Sequence, residues 1–254
     1  MYSQPLQLSE TPSLLIASYT DFGTTGPYLG QMHAVIATQA PRVPRITLMA
    51  DAPMFDPVSA GILLSYLCDD LPAQTLILAV VDPGVGGGRR PLMLKGERLQ
   101  FVGPDNGLFV PVVRRYEDCL IEAIDWRPPR LSDSFHGRDL FAPVAAALAT
   151  GKAVAGTPIE PRELVGYDST HDSNRIIYID AYGNAMTGIE ADGLSDERTI
   201  SVNGTALPFA RTFSEAHPGQ PFWYRNSNGL VEFAVNRGSA SRLLNLRPGM
   251  PVQY

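Results

Sequence analysis

The sequence predicts two domains. The first is an α/β N-terminal domain with a largely parallel central sheet flanked by helices, and the second is a smaller all-β C-terminal domain, barrel-like or a sandwich. Strand-like and helix-like runs alternate over about the first 150 residues, as in a parallel sheet with crossover helices. After about Asp168 only short alternating runs remain, separated by Gly, Asn and Pro. A chain of 254 residues also exceeds the usual size of one hydrophobic core.

The N-terminal elements follow one another along the chain. Strands are predicted at Leu14–Ser18, Arg45–Met49 and Leu76–Val80, with an edge strand at Leu99–Val102. Helices are predicted at about residues 27–38, 58–67 and 141–149. The last helix is rich in Ala and is bounded by Pro143 in its first turn and Gly151 after its end. Together these units favour a parallel sheet.

The C-terminal part is predicted to contain only strands. They are placed at Arg175–Asp180, Thr199–Val202, Pro221–Tyr224 and Leu230–Val235. Two prolines, Pro158 and Pro161, mark the segment between the two patterns as a linker. We therefore expect an α/β domain over residues 1–155, a linker over 156–170 and a β domain over 171–254.

Composition argues against several partners. The net charge is −6, from 20 basic and 26 acidic residues, and no run of like charges marks a surface for nucleic acid or anionic lipid. No apolar stretch is long enough to cross a membrane, and the polar segment Met1–Thr11 lacks a basic leader region. A cytoplasmic protein with reduced Cys68 and Cys119 is expected.

The first residue to suspect of chemistry is Asp82. It follows the apolar run Leu76–Val80 and precedes a Pro- and Gly-rich loop, the position at which an open α/β sheet presents side chains to a ligand. Two other loops, around Asp21 and His136, carry polar residues at predicted element ends. Each has an ordinary reading as well, because Asp21 could cap a helix, Arg89 and Arg90 could be solvated, and His136 could be a hydrogen-bonded loop histidine.

Several familiar sites are absent from the sequence. The glycines of residues 84–88 lack the order of a phosphate-binding GxxxxGK[ST] loop and of a GxGxxG dinucleotide motif. No HExxH, Cys/His or GxSxG pattern occurs, which disfavours a catalytic metal and a serine hydrolase. The sequence therefore predicts neither a metal nor another cofactor.

Six motifs occur in the order found in one enzyme family. They are Thr20–Thr24 (TDFGT), Val81–Gly86 (VDPGVG) with Arg89, Phe101–Leu108 (FVGPDNGL), Phe135–Pro143 (FHGRDLFAP), Ile179–Asn184 (IDAYGN) and Asn226–Leu230 (NSNGL). With them the chain resembles the S-adenosyl-L-methionine (SAM) hydroxide adenosyltransferases, which are adenosine-forming SAM hydrolases related to fluorinase and chlorinase. The resemblance extends from about Leu14 to Pro248.

The resemblance implies a SAM-binding α/β domain, a C-terminal β-barrel, and a homotrimer in which the β domain completes the site of a neighbouring subunit. SAM is then the substrate, adenosine and methionine are the products, and no cofactor is needed. The catalytic triad of the family falls on Asp82, Arg89 and His136. The residues expected to contact the substrate are Asp21, Phe55, Phe135, Asp180, Tyr182, Asn184 and Ser227.

Two other functions remain open at this point. The halogenating relatives carry Tyr in place of Asp82, a hydroxyl residue near Val85 and Ser in place of Gly137, so these three positions argue for water as the nucleophile. Many relatives also have an acidic residue where this chain has Gly26. A SAM- or adenosine-binding sensor without catalysis is the alternative from a different class, although a binding module has no use for the triad.

Overall fold

The computed structural model describes residues 15–169 and 173–254. The predicted strand residue Leu14, the polar segment Met1–Thr11 and residues 170–172 lie outside the described residues. The chain divides into two compact units. The first takes its described residues from Met1–Gly61 and Asp70–Ser169, and the second from Ile62–Asp69 and Thr170–Tyr254.

The first unit is built on a seven-stranded sheet. Its strands are β1 (Leu15–Thr20), β2 (Arg45–Met49), β3 (Thr75–Val80), β4 (Pro91–Lys95), β5 (Leu99–Pro104), β6 (Leu120–Ile124) and β7 (Gly156–Pro158). The spatial order is β2-β1-β3-β5-β4-β6-β7. The first four strands in this order are mutually parallel, and β4, β6 and β7 continue the sheet in antiparallel pairing. Every residue of β3 is buried, as its continuous apolar sequence predicts.

Helices accompany this sheet. They are α1 (Tyr28–Gln39), the first residues of α2 (Pro57–Leu67), α3 (Val110–Arg115) and α4 (Ala142–Ala149); the part of α2 from Ile62 onward belongs to the second unit. The small side chains of α4 let it pack closely on α1 and against β3, and both helices contribute to one apolar core. A π-helical turn, Gly137–Phe141, leads directly into α4. Such turns often occur at functional sites because they displace side chains from regular helical positions.

Two predictions in this unit were wrong. The strand predicted at an edge, β5, lies inside the sheet between β3 and β4. Residues 156–158 were assigned to the linker, yet they form β7 and pair with β6. The reason in both cases is that β4, β6 and β7 were not recognised, and these strands extend the sheet beyond β5.

The second unit contains two antiparallel sheets. One has the order β12 (Pro221–Arg225), β13 (Leu230–Val235), β9 (Ala185–Glu190) and β8 (Ile176–Ile179), and the other β11 (Thr205–Leu207), β10 (Ile200–Val202) and β14 (Val252–Gln253). A short helix, α5 (Ala240–Leu243), follows β13. Isolated bridges pair Arg175 with Pro251 and Phe209 with Trp223, and they connect the edges of the two sheets. The seven strands thus form a barrel-like ring around a core that includes Trp223 and Phe233.

Gly103 in β5 is required by close packing. A Cβ added there would collide with the Ala79 carbonyl oxygen and lie 2.9 Å from Phe109 Cζ. Because backbone and a buried ring cannot move aside cheaply, we expect Gly103→Ala to lower the free energy of unfolding by about 3 kcal/mol. The matched control is Gly30→Ala in α1, where a Cβ meets nothing within 4 Å. That change should raise stability by about 0.5–1 kcal/mol, and urea unfolding followed by circular dichroism measures both.

None of the helices in the described part of the chain combines the length and the apolar character that a membrane span requires. Within the same residues, no group of three or more His, Cys, Asp or Glu side chains is arranged to hold a metal ion. Cys68 and Cys119 are both buried and are not joined in a disulfide. Burial raises the pKa of Cys119 to about 11, which keeps that thiol protonated and unreactive at neutral pH.

Candidate active site

Asp82 lies where the chain leaves the carboxyl end of β3. The preceding carbonyl, that of Val81, accepts a hydrogen bond of 2.9 Å from Asn106 Nδ2, which fixes the start of the loop. Gly86 has φ +81°, and a Cβ there would collide with the Asp133 carbonyl oxygen. The close approach of two loops and the positive φ therefore account for glycine at position 86.

Arg89 returns from this loop to hold the Asp82 carboxylate. Arg89 Nε donates to Oδ1 and Oδ2 at 3.0 Å each, and Nη2 donates to Oδ2 as well. The side chains of Arg89 and Asp82 are only 9% and 4% exposed. The guanidinium also lies over the ring of Phe141, with 5.2 Å from Cζ to the ring centroid. These contacts fix the carboxylate in one orientation and shield the ion pair from water.

His136 is the third member of the cluster. Its Nδ1 lies 2.9 Å from Arg89 Nη2, and because a guanidinium can only donate, Nδ1 accepts this hydrogen bond. The neutral ring therefore carries its proton on Nε2. The pKa of His136 is lowered because burial disfavours the imidazolium and the Arg89 charge repels it. One guanidinium thus orients both the carboxylate and the imidazole.

A cavity of about 360 Å³ opens beside this cluster. Asp82 and His136 line it, whereas Arg89 does not. The other lining residues are Phe22, Tyr28, Gln31, Val80, Val85, Ser132, Ser134, Phe135, Gly137 and Arg138. The cavity lining therefore includes the Asp82 carboxylate and the His136 imidazole. The Arg89 guanidinium, which is hydrogen-bonded to both groups, is not part of the lining.

Aromatic rings form the apolar part of the cavity lining. Phe135 packs edge-to-face on Tyr28 and on Phe22, with ring centroids 5.3 and 6.0 Å apart. Arg138 lies 5.0 Å above the Phe135 ring and is itself paired with Asp139, Nη2 to Oδ2 at 2.9 Å. The arrangement gives a rigid apolar wall suited to a flat ligand.

Asp21 follows the end of β1. Its Oδ2 accepts a hydrogen bond of 3.3 Å from the backbone N–H of Phe55, a residue with φ +58°. Burial raises the pKa of Asp21, and the nearby Asp82 carboxylate raises it further. The Phe55 ring is 72% exposed. Asp21 is thus held by a backbone contact, and no helix capping by its side chain is seen.

In the second unit, the Asp180 carboxylate organises a tight turn. Its Oδ1 accepts from the backbone N–H of Tyr182 at 2.9 Å and of Asn184 at 2.8 Å, while Oδ2 accepts from Asn184 Nδ2 at 3.0 Å. Gly183 has φ +87° within this turn. The turn leaves the Tyr182 ring 81% exposed.

A cavity of about 580 Å³ lies beside this turn. Its lining residues are Asp180, Tyr182, Asn184, Phe213, Tyr224, Val235, Arg237 and Gly238. Ser227 does not line it. Ser227 is exposed in the turn that joins β12 to β13.

The structure brings the residues predicted from sequence into two groups. Asp82, Arg89 and His136 form one hydrogen-bonded cluster, with Phe135 on the cavity that they border. Asp21 and Phe55 contact each other near this cluster. Asp180, Tyr182 and Asn184 form the second group, in the other unit, where Ser227 stands apart from their cavity.

Other residues at these cavities were not foreseen. Tyr28, Gln31 and Arg138 line the first cavity, and Arg138 directly follows the His136–Gly137 pair in one of the quoted motifs, so its position was available as a signal. Arg90, considered as a solvated residue, instead pairs with the buried Asp105, Nε to Oδ2 at 2.8 Å.

Comparison with known proteins identifies the protein family that this chain resembles. Residues 16–157 match the family described as SAM hydroxide adenosyltransferase N-terminal domain, and residues 174–253 match its C-terminal domain. An (R)-S-adenosyl-L-methionine hydrolase of Thermus thermophilus is 37% identical over 92% of this chain and 96% of its own length. The hydrolase of the same name from Salinispora arenicola is 36% identical over 92% and 95%.

Solved structures agree with this comparison. A conserved hypothetical protein from Thermus thermophilus superposes with a TM-score of 0.77 at 33% identity, covering 96% of this chain and 99% of that one. An uncharacterised conserved protein from Thermotoga maritima superposes with a TM-score of 0.77 at 28% identity, covering 94% and 98%. Both domains, in order and nearly complete, are thus present, and the chain belongs to the SAM hydroxide adenosyltransferase family.

Proposed function

We propose that this protein hydrolyses SAM to adenosine and L-methionine by in-line attack of water at the ribose 5′ carbon. One observation carries the proposal: Asp82 and His136 share a cavity wall, and Arg89 behind them holds both by hydrogen bonds. A carboxylate and an imidazole fixed in this way can take up a proton from water and orient it.

The charges favour a concerted reaction over bound hydroxide. Forming free hydroxide at pH 7 from water of pKa ~15.7 costs about 12 kcal/mol. One guanidinium at 4 Å offsets only about 4 kcal/mol at an effective dielectric constant near 20. Arg89 is also already neutralised by Asp82. Asp82 therefore accepts the proton while the new bond forms.

The step balances in atoms and charge. The water oxygen forms a bond to C5′, its O–H bond breaks, and the proton passes to the Asp82 carboxylate. The C5′–S bond breaks with its electron pair going to sulfur, which turns the sulfonium into the neutral thioether of methionine. One negative and one positive charge disappear together, and such charge annihilation is favoured in a site with little water.

His136 orients the water in this mechanism. With Nδ1 accepting from Arg89, the neutral ring offers an N–H at Nε2, a donor suited to the water oxygen. A relay through His136 would require an acceptor nitrogen available to the water, but the acceptor of this tautomer, Nδ1, already takes the hydrogen bond from Arg89. Asp82 is thus assigned as the base, His136 as the orienting donor, and Arg89 as the residue that aims both.

The substrate contacts follow from the two groups of residues. We assign Asp21 to the ribose hydroxyls, with Phe55 and Phe135 as walls of the sugar and adenine pocket. Asp180, Tyr182, Asn184 and Ser227 are assigned to the methionine and adenine portions, as in the family. The (R)-sulfonium epimer is proposed as the substrate because the relatives are named for it.

We further propose that the working form is a homotrimer. In it, the β domain over residues 171–254 completes the site of the α/β domain of a neighbouring subunit. Large aromatic side chains near both groups are exposed in the single chain, including Phe55 at 72% and Tyr182 at 81%. Exposed aromatic surface of this kind is commonly buried on assembly. Two cysteines that are buried and not in a disulfide suit a reducing compartment, and we propose the cytoplasm.

Water, rather than halide, is proposed as the nucleophile. The Asp82 carboxylate would repel an anion at the cavity wall. At Gly137, a Cβ would lie 3.1 Å from Met32 Sδ and 3.3 Å from Phe135 Cε2, so the serine of halogenating relatives would be crowded here. Val85 lines the cavity without a hydroxyl group.

The experiment supplies each SAM epimer separately, in water enriched in ¹⁸O, with a metal chelator and with or without chloride. We expect equal amounts of adenosine and methionine from the (R) epimer, with ¹⁸O in the adenosine 5′-hydroxyl. Neither chelator nor chloride should change the rate. Mass spectrometry that finds 5′-chloro-5′-deoxyadenosine would overturn the choice of water. Tight SAM binding by calorimetry without product would instead identify a sensor.

The pH dependence of kcat/KM should reveal His136. Protonation places a hydrogen on Nδ1, facing the Arg89 guanidinium, and breaks their hydrogen bond. Because the pKa of His136 is lowered in the fold, activity should decline toward acidic pH with a midpoint below the ordinary imidazole pKa of about 6.5. As the pH falls, His136 takes up its proton at a higher pH in the unfolded chain than in the folded one. The free energy of unfolding that the neutral ring contributes therefore declines as the pH falls below about 6.5.

His136→Asn supplies the control for this profile. Asparagine offers Arg89 an acceptor oxygen but does not titrate. We expect reduced activity whose acid limb lies at lower pH than in the wild type. An acid limb unchanged in this variant would assign the titration to another group.

A further inference from the structure

Glu232 is a buried carboxyl group that the proposed chemistry does not use. It lies in the middle of β13 and is only 2% exposed. In the sheet register it stands opposite Tyr224 of β12 and Met186 of β9. A buried acid within an apolar sheet is costly unless its oxygens are hydrogen-bonded, so its partners show what it is for.

One partner of Glu232 is the turn between β12 and β13. Glu232 Oε2 accepts a hydrogen bond of 2.9 Å from Asn226 Nδ2. Asn226 Oδ1 in turn accepts from the backbone N–H groups of Asn228 at 3.0 Å and Leu230 at 2.9 Å. Both the nitrogen and the oxygen of the Asn226 amide are therefore hydrogen-bonded, and the bond to Glu232 sets the orientation of the amide. Ser227 is carried by the turn that this amide closes.

The other partner is Tyr224. Its hydroxyl group is hydrogen-bonded to Glu232, and its side chain lines the cavity beside Asp180. Burial raises the pKa of Glu232, the hydrogen bonds from Asn226 and Tyr224 lower it, and the Asp180 charge raises it. The pKa of Tyr224 is raised by burial and by the carboxylates of Glu232 and Asp180. Its hydroxyl group therefore keeps its proton and remains a hydrogen-bond donor.

We propose that Glu232 is a positioning residue for substrate binding, which joins the turn carrying Ser227 to the Tyr224 wall of the neighbouring cavity. The inference rests on the proposed function, in which Ser227 contacts the amino-acid end of SAM and Asp180 lies at the same ligand. Glu232 touches no substrate atom. It acts by holding two ligand-binding surfaces of this unit in one arrangement, and its loss should weaken binding more than it slows chemistry.

The test compares Glu232→Leu, which keeps the volume but removes both acceptor oxygens, with Glu232→Gln, which keeps one. For Glu232→Leu we expect KM for SAM to rise about tenfold or more, with kcat within about threefold of wild type. Glu232→Gln should restore KM to within about threefold of wild type. Calorimetry with adenosine as the probe should show the same order of affinities without any turnover. The control is Glu197→Gln, an exposed acid of the same unit, which should match wild type.

The outcomes separate the inference from the function. If wild type releases no adenosine from SAM, the proposed function fails. If wild type is active and folded Glu232→Leu has an unchanged KM, or loses only kcat, the positioning role is wrong. Should Glu232→Leu not fold, Tyr224→Phe is the second variant, because it removes one hydrogen bond to Glu232 and keeps the ring. Tyr224→Phe must then raise KM and weaken adenosine binding, and unchanged values would overturn the proposal.

Discussion

Asp82→Asn is expected to lower kcat by about 10²–10⁴-fold, the contribution typical of a positioned general base. The amide has the shape of the carboxylate but cannot accept a proton from water at neutral pH. SAM should still bind with a Kd within a few-fold of wild type, because the proposed ribose and adenine contacts are untouched. Chromatographic detection of adenosine measures the rate, and calorimetry measures the affinity.

The chain offers a matched control for this change. Asp105 is a buried acid paired with Arg90, as Asp82 is with Arg89, but it does not line the cavity. Asp105→Asn should therefore lower stability and leave kcat within a few-fold of wild type. If Asp82→Asn retains more than about a tenth of the wild-type kcat, another group accepts the proton and the mechanism needs revision.

Arg89→Met should destabilise the fold and abolish efficient turnover together. It leaves the Asp82 carboxylate buried with no counter-charge, and breaking a buried pair in this way costs about 3–5 kcal/mol. His136 loses the donor that sets its tautomer at the same time. We expect a loss of kcat of at least about 10²-fold. Urea unfolding and initial-rate measurements report the two effects separately.

Two further variants test this interpretation of Arg89. Arg89→Lys restores a positive charge but cannot donate to both Asp82 and His136 in the same geometry, so stability should recover more than activity. In the double variant Asp82→Asn, Arg89→Met the unpaired charge is gone, and the free energy of unfolding should exceed that of Arg89→Met alone. An unfolding free energy for Arg89→Met equal to that of wild type would contradict the importance of the pair.

The sequence was informative where hydrophobic burial dominates. A short apolar run that ends at a Pro- and Gly-rich loop favours a buried strand, and this located β3 and hence Asp82 after its end. The strand β13 and the helix α4 were found for the same reason, because apolar residues there follow a clear pattern or a small-residue run. The order of motifs then indicated which loop residues to group.

Other features depend on contacts distant in sequence. Arg89 and His136 are 47 positions apart, and no local pattern shows that one guanidinium reaches both this imidazole and Asp82. The strands β4, β6 and β7 are short and gain stability from antiparallel pairing with neighbours, which the sequence does not display. Glu232 was missed because a single acid in an alternating strand predicts a solvent-facing side chain.

The placement of Arg89 behind the cavity has a consequence for inhibitors and for the release of products. In the in-line arrangement the Asp82 carboxylate lies on the far side of C5′ from the sulfur, and it is paired with Arg89. Its attraction for the positive sulfonium therefore acts across the reacting carbon and is weak, and it vanishes for the uncharged thioether. An amine analogue of SAM with nitrogen in place of sulfur should consequently bind only a few-fold more tightly when that nitrogen is protonated. Methionine, once formed, leaves a site to which it is no longer electrostatically drawn.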